Sequence, residues 1–115
     1  MLSLQPRAGI RRVWHGWAAE ADADAYESLL LETVVPGILA RELPGLRSIE
    51  VLRHPEVVDG LVEFVTLMDF ADHEAVVAFA GGDGSESVVP DAARTLLARF
   101  DEHSRHYDLR ARAQR

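Results

Sequence analysis

Three stretches of the chain carry the apolar pattern of β-strands. Residues Ile10–Trp17 are rich in β-branched and aromatic types, and Gly16 within them predicts a bulge or a close backbone approach. Leu46–Arg53 alternates loosely between apolar and polar positions, so one of its faces is expected to be polar. Leu61–Phe70 is almost continuously apolar, which is typical of a central strand covered on both faces. The connecting residues His54–Gly60 contain Pro, Asp and Gly, which predicts a hairpin between the last two strands.

A helix is predicted between the first two strands, because apolar residues recur there at helical spacing. Asp22 and Asp24 are candidate N-caps, and Asp24 followed by Glu27 resembles a capping box. Pro36 cannot occupy a helix interior without a cost in stability. We therefore expect it to kink this helix or to begin a second short one that reaches about Arg41.

A second helical region follows the apolar strand. Asp72 is a candidate N-cap for a helix through Ala80, and a group of glycines ends that helix. Pro90 suits the first turn of another helix, whose apolar positions recur at intervals of three and four residues up to Phe100. Glu102–Arg110 alternates between polar and apolar residues and is predicted to be the last strand.

The predicted order of elements is β, α, β, β, α, β. It favours an α+β fold of the ferredoxin-like kind, in which a four-stranded antiparallel sheet carries its helices on one face. Residues 10–110 would form this single domain, with a flexible arm at 1–9 and a polar tail at 111–115 that frays. In the first strand Val13 and Trp17 share one side, and Trp14 takes the other. Because apolar residues on both sides need cover, we expect a second copy of the chain on the helix-free face, giving a homodimer.

Composition excludes several classes of function. The 115 residues carry a net charge of −7, which disfavours binding to nucleic acid or to an anionic membrane. The chain has no cysteine, which excludes disulfides, iron–sulfur clusters, thiolate zinc sites and cysteine nucleophiles. No apolar run approaches the roughly 20 residues that cross a bilayer, and residues 1–9 lack the apolar stretch of a signal peptide. We therefore expect a cytoplasmic protein.

No metal or organic cofactor is expected. His103 and His106 have a His-x-x-His spacing, but on a strand residues three apart point to opposite sides. The glycine cluster after Ala80 follows a helix, whereas a dinucleotide-binding loop follows a strand and opens a helix.

Several short pieces of sequence occur in a characteristic order. They are Ile10–Gly16, Tyr26, Pro36, Pro44, Gly45, Phe79–Asp83, Pro90 and the pair His106 and Tyr107. This order resembles the antibiotic biosynthesis monooxygenase domains of the dimeric α/β-barrel superfamily. The resemblance implies a homodimer whose two sheets pack face to face as a barrel, with a pocket in each subunit between sheet and helices. Some members oxidise polycyclic phenols or quinols with molecular oxygen and without metal or flavin, and others degrade haem.

The sequence departs from the family at two places. Met68, Asp69 and Phe70 stand where a tryptophan is frequent, and Ala78 and Phe79 lie where the haem-degrading members have a histidine, so haem binding is not expected. The resemblance therefore implies a cofactor-independent monooxygenase that acts on a small aromatic or polyketide-like compound such as a quinol or an anthrone. The alternatives are a non-catalytic dimer that binds a small ligand or a protein partner, and a cyclase or isomerase that uses the same pocket.

Oxygenation without a cofactor needs a base that takes a proton from the substrate near neutral pH, and histidine is the side chain that titrates there. His15 is the first candidate, because it lies mid-strand near two tryptophans, and His106 on the neighbouring strand is the second. An interface role for His15 is the competing interpretation. Asp69 is interpreted either as a helix cap or as a buried acid with a raised pKa. The expected substrate-binding residues are Trp14, Trp17, Met68, Phe79 and Tyr107.

His106 and Tyr107 are adjacent on one predicted strand. Neighbouring residues on a strand face opposite sides, so these two cannot line one pocket unless a bulge intervenes. We expect one of them to have a structural role and the other to reach the pocket.

Overall fold

Seven strands and four α-helices are formed by residues 3–5 and 8–115, the part of the chain that the computed structural model describes. The strands are β1 (Ser3–Gln5), β2 (Ile10–Ala19), β3 (Leu46–Arg53), β4 (Leu61–Phe70), β5 (Arg99–Phe100), β6 (Arg105–Asp108) and β7 (Arg112–Gln114). The helices are α1 (Glu20–Leu29), α2 (Val35–Ala40), α3 (His73–Ala80) and α4 (Asp91–Arg94). A π-helical turn, Leu30–Val34, joins α1 to α2, so the chain stays helical from one to the other.

The main sheet is antiparallel and has β2 and β4 at its centre. Its strands run in the order β3, β4, β2, and both β5 and β6 pair with the second edge of β2. β4 pairs with the whole of β2, from Ile10 opposite Phe70 to Ala19 opposite Leu61. The helices pack on one face of this sheet, which confirms the predicted α+β, ferredoxin-like arrangement.

Two apolar clusters fill the space between the sheet and the helices. Tyr26 on α1 packs edge-on against Phe64 on β4, with ring centroids 4.9 Å apart, and both side chains are buried. Phe70 on β4 and Phe79 on α3 contact one another in the second cluster, beside the buried Val76. Burial of these rings stabilises the attachment of the helices to the sheet.

The first helix begins earlier than predicted. It starts at Glu20, directly after β2, with Ala19 as its N-cap and no capping side chain. The prediction of an N-cap at Asp22 or Asp24 is therefore wrong. The cause is the pairing of β2 with β4, which extends the strand to Ala19, while the Glu20 N–H donates to the Gly60 carbonyl at 3.1 Å. Asp22 lies in the first helical turn instead, where a carboxylate interacts favourably with the helix dipole.

Pro36 stands at the start of α2, whose C-cap is Arg41. Of the two outcomes expected for this proline, the second short helix is the one that the structure contains. α3 also matches its prediction, because the Asp72 side chain accepts a hydrogen bond from the Ala75 N–H at 2.9 Å. Gly81 ends that helix with a φ of 76°, a backbone conformation that favours glycine.

The region after Pro90 contains less helix than predicted. Only Asp91–Arg94 is helical there, and Phe100 lies in β5 rather than on a helix. The free edge of β2 explains the difference. The Ala98 N–H donates to the Trp17 carbonyl at 2.8 Å, and this hydrogen bond brings the chain back to the sheet.

The two ends of the chain pair with one another. Ser3–Gln5 and Arg112–Gln114 form a short antiparallel ladder, where the sequence predicts an arm and a tail without regular structure. Backbone hydrogen bonds between strands need no apolar pattern, which is why composition misses this pair. Met1, Leu2, Pro6 and Arg7 of the predicted arm lie outside the described residues. The domain limits at residues 10 and 110 stay predictions.

Candidate functional site

β2 divides its side chains between the two faces of the main sheet. Arg12, Trp14 and Gly16 point toward the helices, on what we call the helix-covered face. His15 and Trp17 alternate with them and point to the opposite side, which we call the open face. A ligand held by side chains of β2 therefore lies on one face or the other.

A narrow cavity lies between the helix-covered face and the helices. Its volume is about 570 Å³ with the mouth included, of which the centre of a water molecule can reach about 60 Å³. The apolar part of its lining includes Trp14, Leu30, Val34, Val35, Ile38, Met68 and Phe79. The polar lining residues are Arg12, Tyr26, Thr66 and Ser104. Aromatic walls with a few polar groups suit a small planar organic ligand.

Arg12 places a guanidinium group in the wall of this cavity. The residue is only 3% exposed. Its Nη1 donates to the Gly84 carbonyl at 2.5 Å, its Nη2 donates to the Glu86 carbonyl at 2.6 Å, and its charge lies over the Phe79 ring. Loss of hydration lowers the pKa of Arg12 to about 10, so the group stays charged at neutral pH. No carboxylate in the described part of the chain forms an ion pair with it.

His106 contacts Arg12 from the neighbouring strand. The two residues are register partners, and the His106 Nε2 lies 3.0 Å from the Arg12 Nη1. Because the guanidinium can only donate, Nε2 accepts, and the proton of the neutral ring is on Nδ1. Burial, followed by the Arg12 charge, lowers the pKa of His106 below its usual value. His106 is therefore neutral at pH 7, with its Nε2 lone pair engaged by Arg12.

Two of the hydroxyl-bearing side chains in the polar part of the lining, those of Tyr26 and Ser104, are buried. Tyr26 is buried, and desolvation raises its pKa to about 12, so its phenol stays protonated and can donate a hydrogen bond. Ser104 is only 7% exposed, and its Oγ has no hydrogen-bond partner among the described residues. A buried hydroxyl without a partner is uncommon in a native protein and is costly unless something bonds to it.

Trp14 forms a fixed wall of the cavity. Its Nε1 donates to the Ser87 Oγ and to the Asp101 carbonyl, both at 2.9 Å. Its ring lies directly over Gly16, where an added Cβ would come within 2.8 Å of the ring atom Cη2. The sequence predicted a bulge or a close backbone approach at Gly16, but β2 pairs with β4 through this residue without a bulge, and the group that approaches it is the indole side chain of Trp14.

The open face carries a separate set of polar and aromatic side chains. His15 Nδ1 lies 2.7 Å from the Glu63 Oε2, and the His15 ring stacks on Trp17 at 5.9 Å between centroids. The Arg99 guanidinium lies over the Trp17 ring, with its Cζ 4.2 Å from the ring centre. Tyr107 is exposed on the same face. The sheet separates all of these side chains from the cavity.

Asp69 is also on the open face, and both sequence interpretations of it are wrong. It does not cap α3, a role that Asp72 fills, and its pKa is lowered rather than raised. Two hydrogen bonds from Arg11, at 2.8 and 3.1 Å, are the main cause of the low pKa, and the hydroxyl of Ser48 adds a third. Asp69 thus forms part of an ion pair in the sheet.

The structure brings three of the predicted substrate-binding residues together, namely Trp14, Met68 and Phe79. His106 contacts Arg12, which lines the cavity. His106 and Tyr107 face opposite sides of the sheet, as expected for adjacent residues on a strand. Three further predicted site residues, His15, Trp17 and Tyr107, lie on the open face. Sequence reasoning missed Arg12, Tyr26 and Ser104 as lining residues. For Arg12 a signal was present, since it is two residues from Trp14 and so shares its side of the strand.

Among the described residues, no group of three or more His, Cys, Asp or Glu side chains is placed to hold a metal ion. No helix in residues 3–5 and 8–115 is long and apolar enough to cross a membrane.

Comparison with known proteins adds evidence on the fold. No family model matches this chain, and no curated protein matches its sequence. A solved structure from Shewanella oneidensis is 16% identical, with a TM-score of 0.63 and 98% of each chain covered. A candidate antibiotic biosynthesis monooxygenase from Bacillus cereus is 12% identical, with a TM-score of 0.56 over 89% of this chain and 92% of that one. An EthD family protein from Bacillus halodurans is 19% identical, with a TM-score of 0.51 over 85% of this chain and 96% of that one. At these identities the structural similarity shows a shared fold alone.

Proposed function

We propose that the cavity on the helix-covered face binds a small aromatic compound, and that the protein is a cofactor-independent monooxygenase of quinol-like or anthrone-like substrates. The observation that carries this proposal is the cavity itself, in which Trp14, Phe79 and Met68 surround a desolvated cation, Arg12. The Bacillus cereus protein of the same fold, a candidate antibiotic biosynthesis monooxygenase, agrees with this class of reaction.

In such a reaction the substrate supplies the electrons once it has lost a proton, and the protein supplies a shaped apolar site. For an anthrone, the methylene carbon loses two hydrogens and gains one atom of O₂ as a carbonyl oxygen. The second oxygen atom leaves with those hydrogens as water. Trp14 and Phe79 would hold the rings of the substrate, and Met68 would fill the gap between them.

The catalytic roles of His15 and His106 stay predictions. His15 is on the open face, and the Nε2 of His106 is engaged by Arg12, so neither ring presents a free nitrogen to the cavity. This favours a second candidate function, a non-catalytic dimer that binds the same class of ligand. The cyclase or isomerase alternative also stays a prediction. A cyclase and an isomerase would each need a proton acceptor beside the ligand.

We further propose that the protein is a homodimer, located in the cytoplasm, whose subunits pack through their open faces. Leu52 and Tyr107 are exposed there, and Trp17 is only partly buried. A second copy would cover these side chains, which a single chain leaves in contact with water. Light scattering is expected to give twice the monomer mass of 12.7 kDa. A Leu52→Asp variant should give the monomer mass, and a wild type that is monomeric at micromolar concentration would refute the dimer.

The test of ligand binding uses the two tryptophans, one on each face. A Trp17→Phe variant keeps Trp14 as its only tryptophan, and a Trp14→Phe variant keeps only Trp17. An anthrone and a naphthoquinol are expected to quench the fluorescence of the first variant and not that of the second. Oxygen consumption by the wild type, at one O₂ per product formed and without hydrogen peroxide, would establish the monooxygenase. Quenching without oxygen consumption would establish the binding protein, and no quenching in either variant would refute both candidates.

A further inference from the structure

We propose that the cavity takes its aromatic ligand in the ionised form, with an anionic phenolate-type oxygen placed against Arg12 and Ser104. This inference rests on the proposed binding function and names the chemical class of the ligand. It also answers a question that the cavity raises, which is how a substrate can be deprotonated where no lining residue is a free base. In this proposal the substrate loses its proton to solvent, and the site selects the anion.

The charge of Arg12 lacks an opposite charge beside it among the described residues. Transfer of a guanidinium out of water is costly unless an opposite charge accompanies it. Arg11, Arg53 and Arg112 each have a carboxylate partner in this protein. Arg12 is the more deeply buried cation, and its partners among the described residues are neutral acceptors, namely two carbonyl oxygens and an imidazole nitrogen. An anionic ligand would provide the missing counter-charge.

Arg12 and Ser104 keep hydrogen-bond donors that no described residue engages. A guanidinium has five N–H groups, and the contacts of Arg12 with the described residues engage three of them. Ser104 supplies another donor, because its buried Oγ–H has no partner and its residue lines the same cavity. A phenolate oxygen accepts more than one hydrogen bond, and both of these side chains line the cavity that would hold it.

The titratable side chains of His106 and Tyr26 carry no charge near neutral pH. His106 faces Arg12 and is neutral at pH 7, so it adds no second positive charge that would repel the guanidinium. Tyr26 keeps its proton up to about pH 12, so it adds no negative charge to the cavity. Asp83 and His73 act on His106 from a distance with opposite signs. Arg12 therefore sets the electrostatic character of the cavity near neutral pH.

Affinity should then follow the ionisation of the ligand. It rises with pH through the pKa of the ligand itself and levels off above it, because the site stays cationic up to the pKa of Arg12 at about 10. A set of phenols with different acidities would show different midpoints, each at the acidity of that phenol. A protein base would give one midpoint for all of them.

The experiment compares two probes of similar shape, 4-nitrophenol, which ionises near neutral pH, and 4-nitroanisole, its methyl ether, which cannot ionise. Calorimetric titration of the wild type at pH 8.5 is expected to show binding of the phenolate about tenfold or more tighter than binding of the ether, since charge-assisted hydrogen bonds are the stronger class. At pH 5 the two probes should bind equally well. Equal affinity at pH 8.5 would overturn the anion proposal and leave aromatic binding intact, whereas no binding of either probe would count against the proposed function itself.

Ser104→Ala is the decisive variant, because no described residue bonds to the serine Oγ and its loss should leave the fold stable. We expect affinity for the phenolate to fall about five- to tenfold, with affinity for the ether and the melting temperature unchanged or slightly raised. Ser28→Ala, at an exposed serine on α1, is the matched control and should change neither affinity. Arg12→Met should abolish the preference for the phenolate. A preference that survives both Ser104→Ala and Arg12→Met would overturn the proposal.

Discussion

Arg11 and Arg12 are consecutive residues of one strand, and the two faces of the sheet give them opposite surroundings. Arg11 on the open face bonds to the Asp69 carboxylate twice, and these bonds raise its pKa. Arg12 on the helix-covered face meets only neutral acceptors, and lost hydration lowers its pKa to about 10. A cation neutralised within the fold contributes to stability. One without a counter-charge beside a cavity is available to a ligand.

The same division applies to the aromatic and histidine side chains. Trp14 is fixed by two hydrogen bonds as a cavity wall, whereas Trp17 lies between His15 and Arg99 on the open face. His106 accepts from a cation, whereas His15 pairs with a carboxylate. Alternation along a strand thus gives two adjacent sets of similar residues different tasks, one in ligand binding and one in the proposed contact between subunits.

The largest effect expected from this comparison is on stability. Phe64→Ala on the helix-covered face should lower the free energy of unfolding by about 3–5 kcal/mol, because a fully buried ring that packs on Tyr26 leaves a cavity. Leu52→Ala on the open face, where the side chain is 47% exposed, should change it by about 0.5 kcal/mol or less in separated subunits. Urea unfolding at low protein concentration measures both. Equal losses would mean that the open face is as well buried within one chain as the core.

A smaller effect is expected at Asp69, and it depends on pH. Its pKa is lowered in the folded protein by the hydrogen bonds from Arg11, so the ionised carboxylate stabilises the fold above about pH 4, the ordinary value. This stabilisation is lost as pH falls through the lower folded pKa. Asp69→Asn should lower the free energy of unfolding at pH 7 by about 1–3 kcal/mol, because it leaves Arg11 without its counter-charge.

The pH dependence of the free energy of unfolding distinguishes a contribution of the Asp69 charge from a contribution of its packing. Urea unfolding of the wild type should show stability falling as the pH is lowered below about 4, whereas the Asp69→Asn variant should be flatter there. Ser48→Ala, which removes only one neutral hydrogen bond to Asp69, is the matched control and should keep the slope. Parallel curves for wild type and Asp69→Asn would contradict the assigned role.

The smallest effects are expected at the two histidines, one on each face. His106→Ala should weaken binding of the 4-nitrophenolate probe about fivefold, because Arg12 loses an acceptor that orients its guanidinium. His15→Ala should leave that affinity unchanged and weaken self-association by a similar factor, since it breaks the contact with Glu63. Calorimetry and sedimentation on the same preparations measure the two quantities. Loss of oxygen consumption in His15→Ala with the association intact would instead support His15 as the base.

Most of the fold could be predicted from local patterns. The β-branched and apolar character of Ile10–Trp17 and Leu61–Phe70 reflects real strands, and the cap at Asp72 is decided by one side chain and a nearby N–H. Predictions failed where long-range pairing overrode local preference. The helix begins at Glu20 and not at the capping box of Asp24, because β2 runs up to Ala19. Phe100 has helical spacing in the sequence but pairs with the free edge of β2 in the structure.

The candidate site could be predicted less fully. Trp14, Met68 and Phe79 are apolar and were expected near a ligand, and the cavity contains them. Arg12 was not among the predicted lining residues, although it is two residues from Trp14 on the same strand and therefore shares its face. The missing partner of Ser104 cannot be foreseen at all, since it depends on how β6 approaches β2 across most of the chain length.

The π-helical turn Leu30–Val34 has a consequence for how this protein can evolve. A π-helical turn contains one residue more than an α-helical turn, and Leu31 and Glu32 within it are exposed. Deletion of either would restore a regular α-helix, because a π-helical turn accommodates its extra residue within the turn and does not pass it on to α2. Val35 and Ile38 would keep facing the cavity, whereas the part of the wall formed by Leu30 and Val34 would change. A single codon gained or lost in this turn is thus a small genetic step that reshapes one part of the cavity wall while the helices on either side keep their faces.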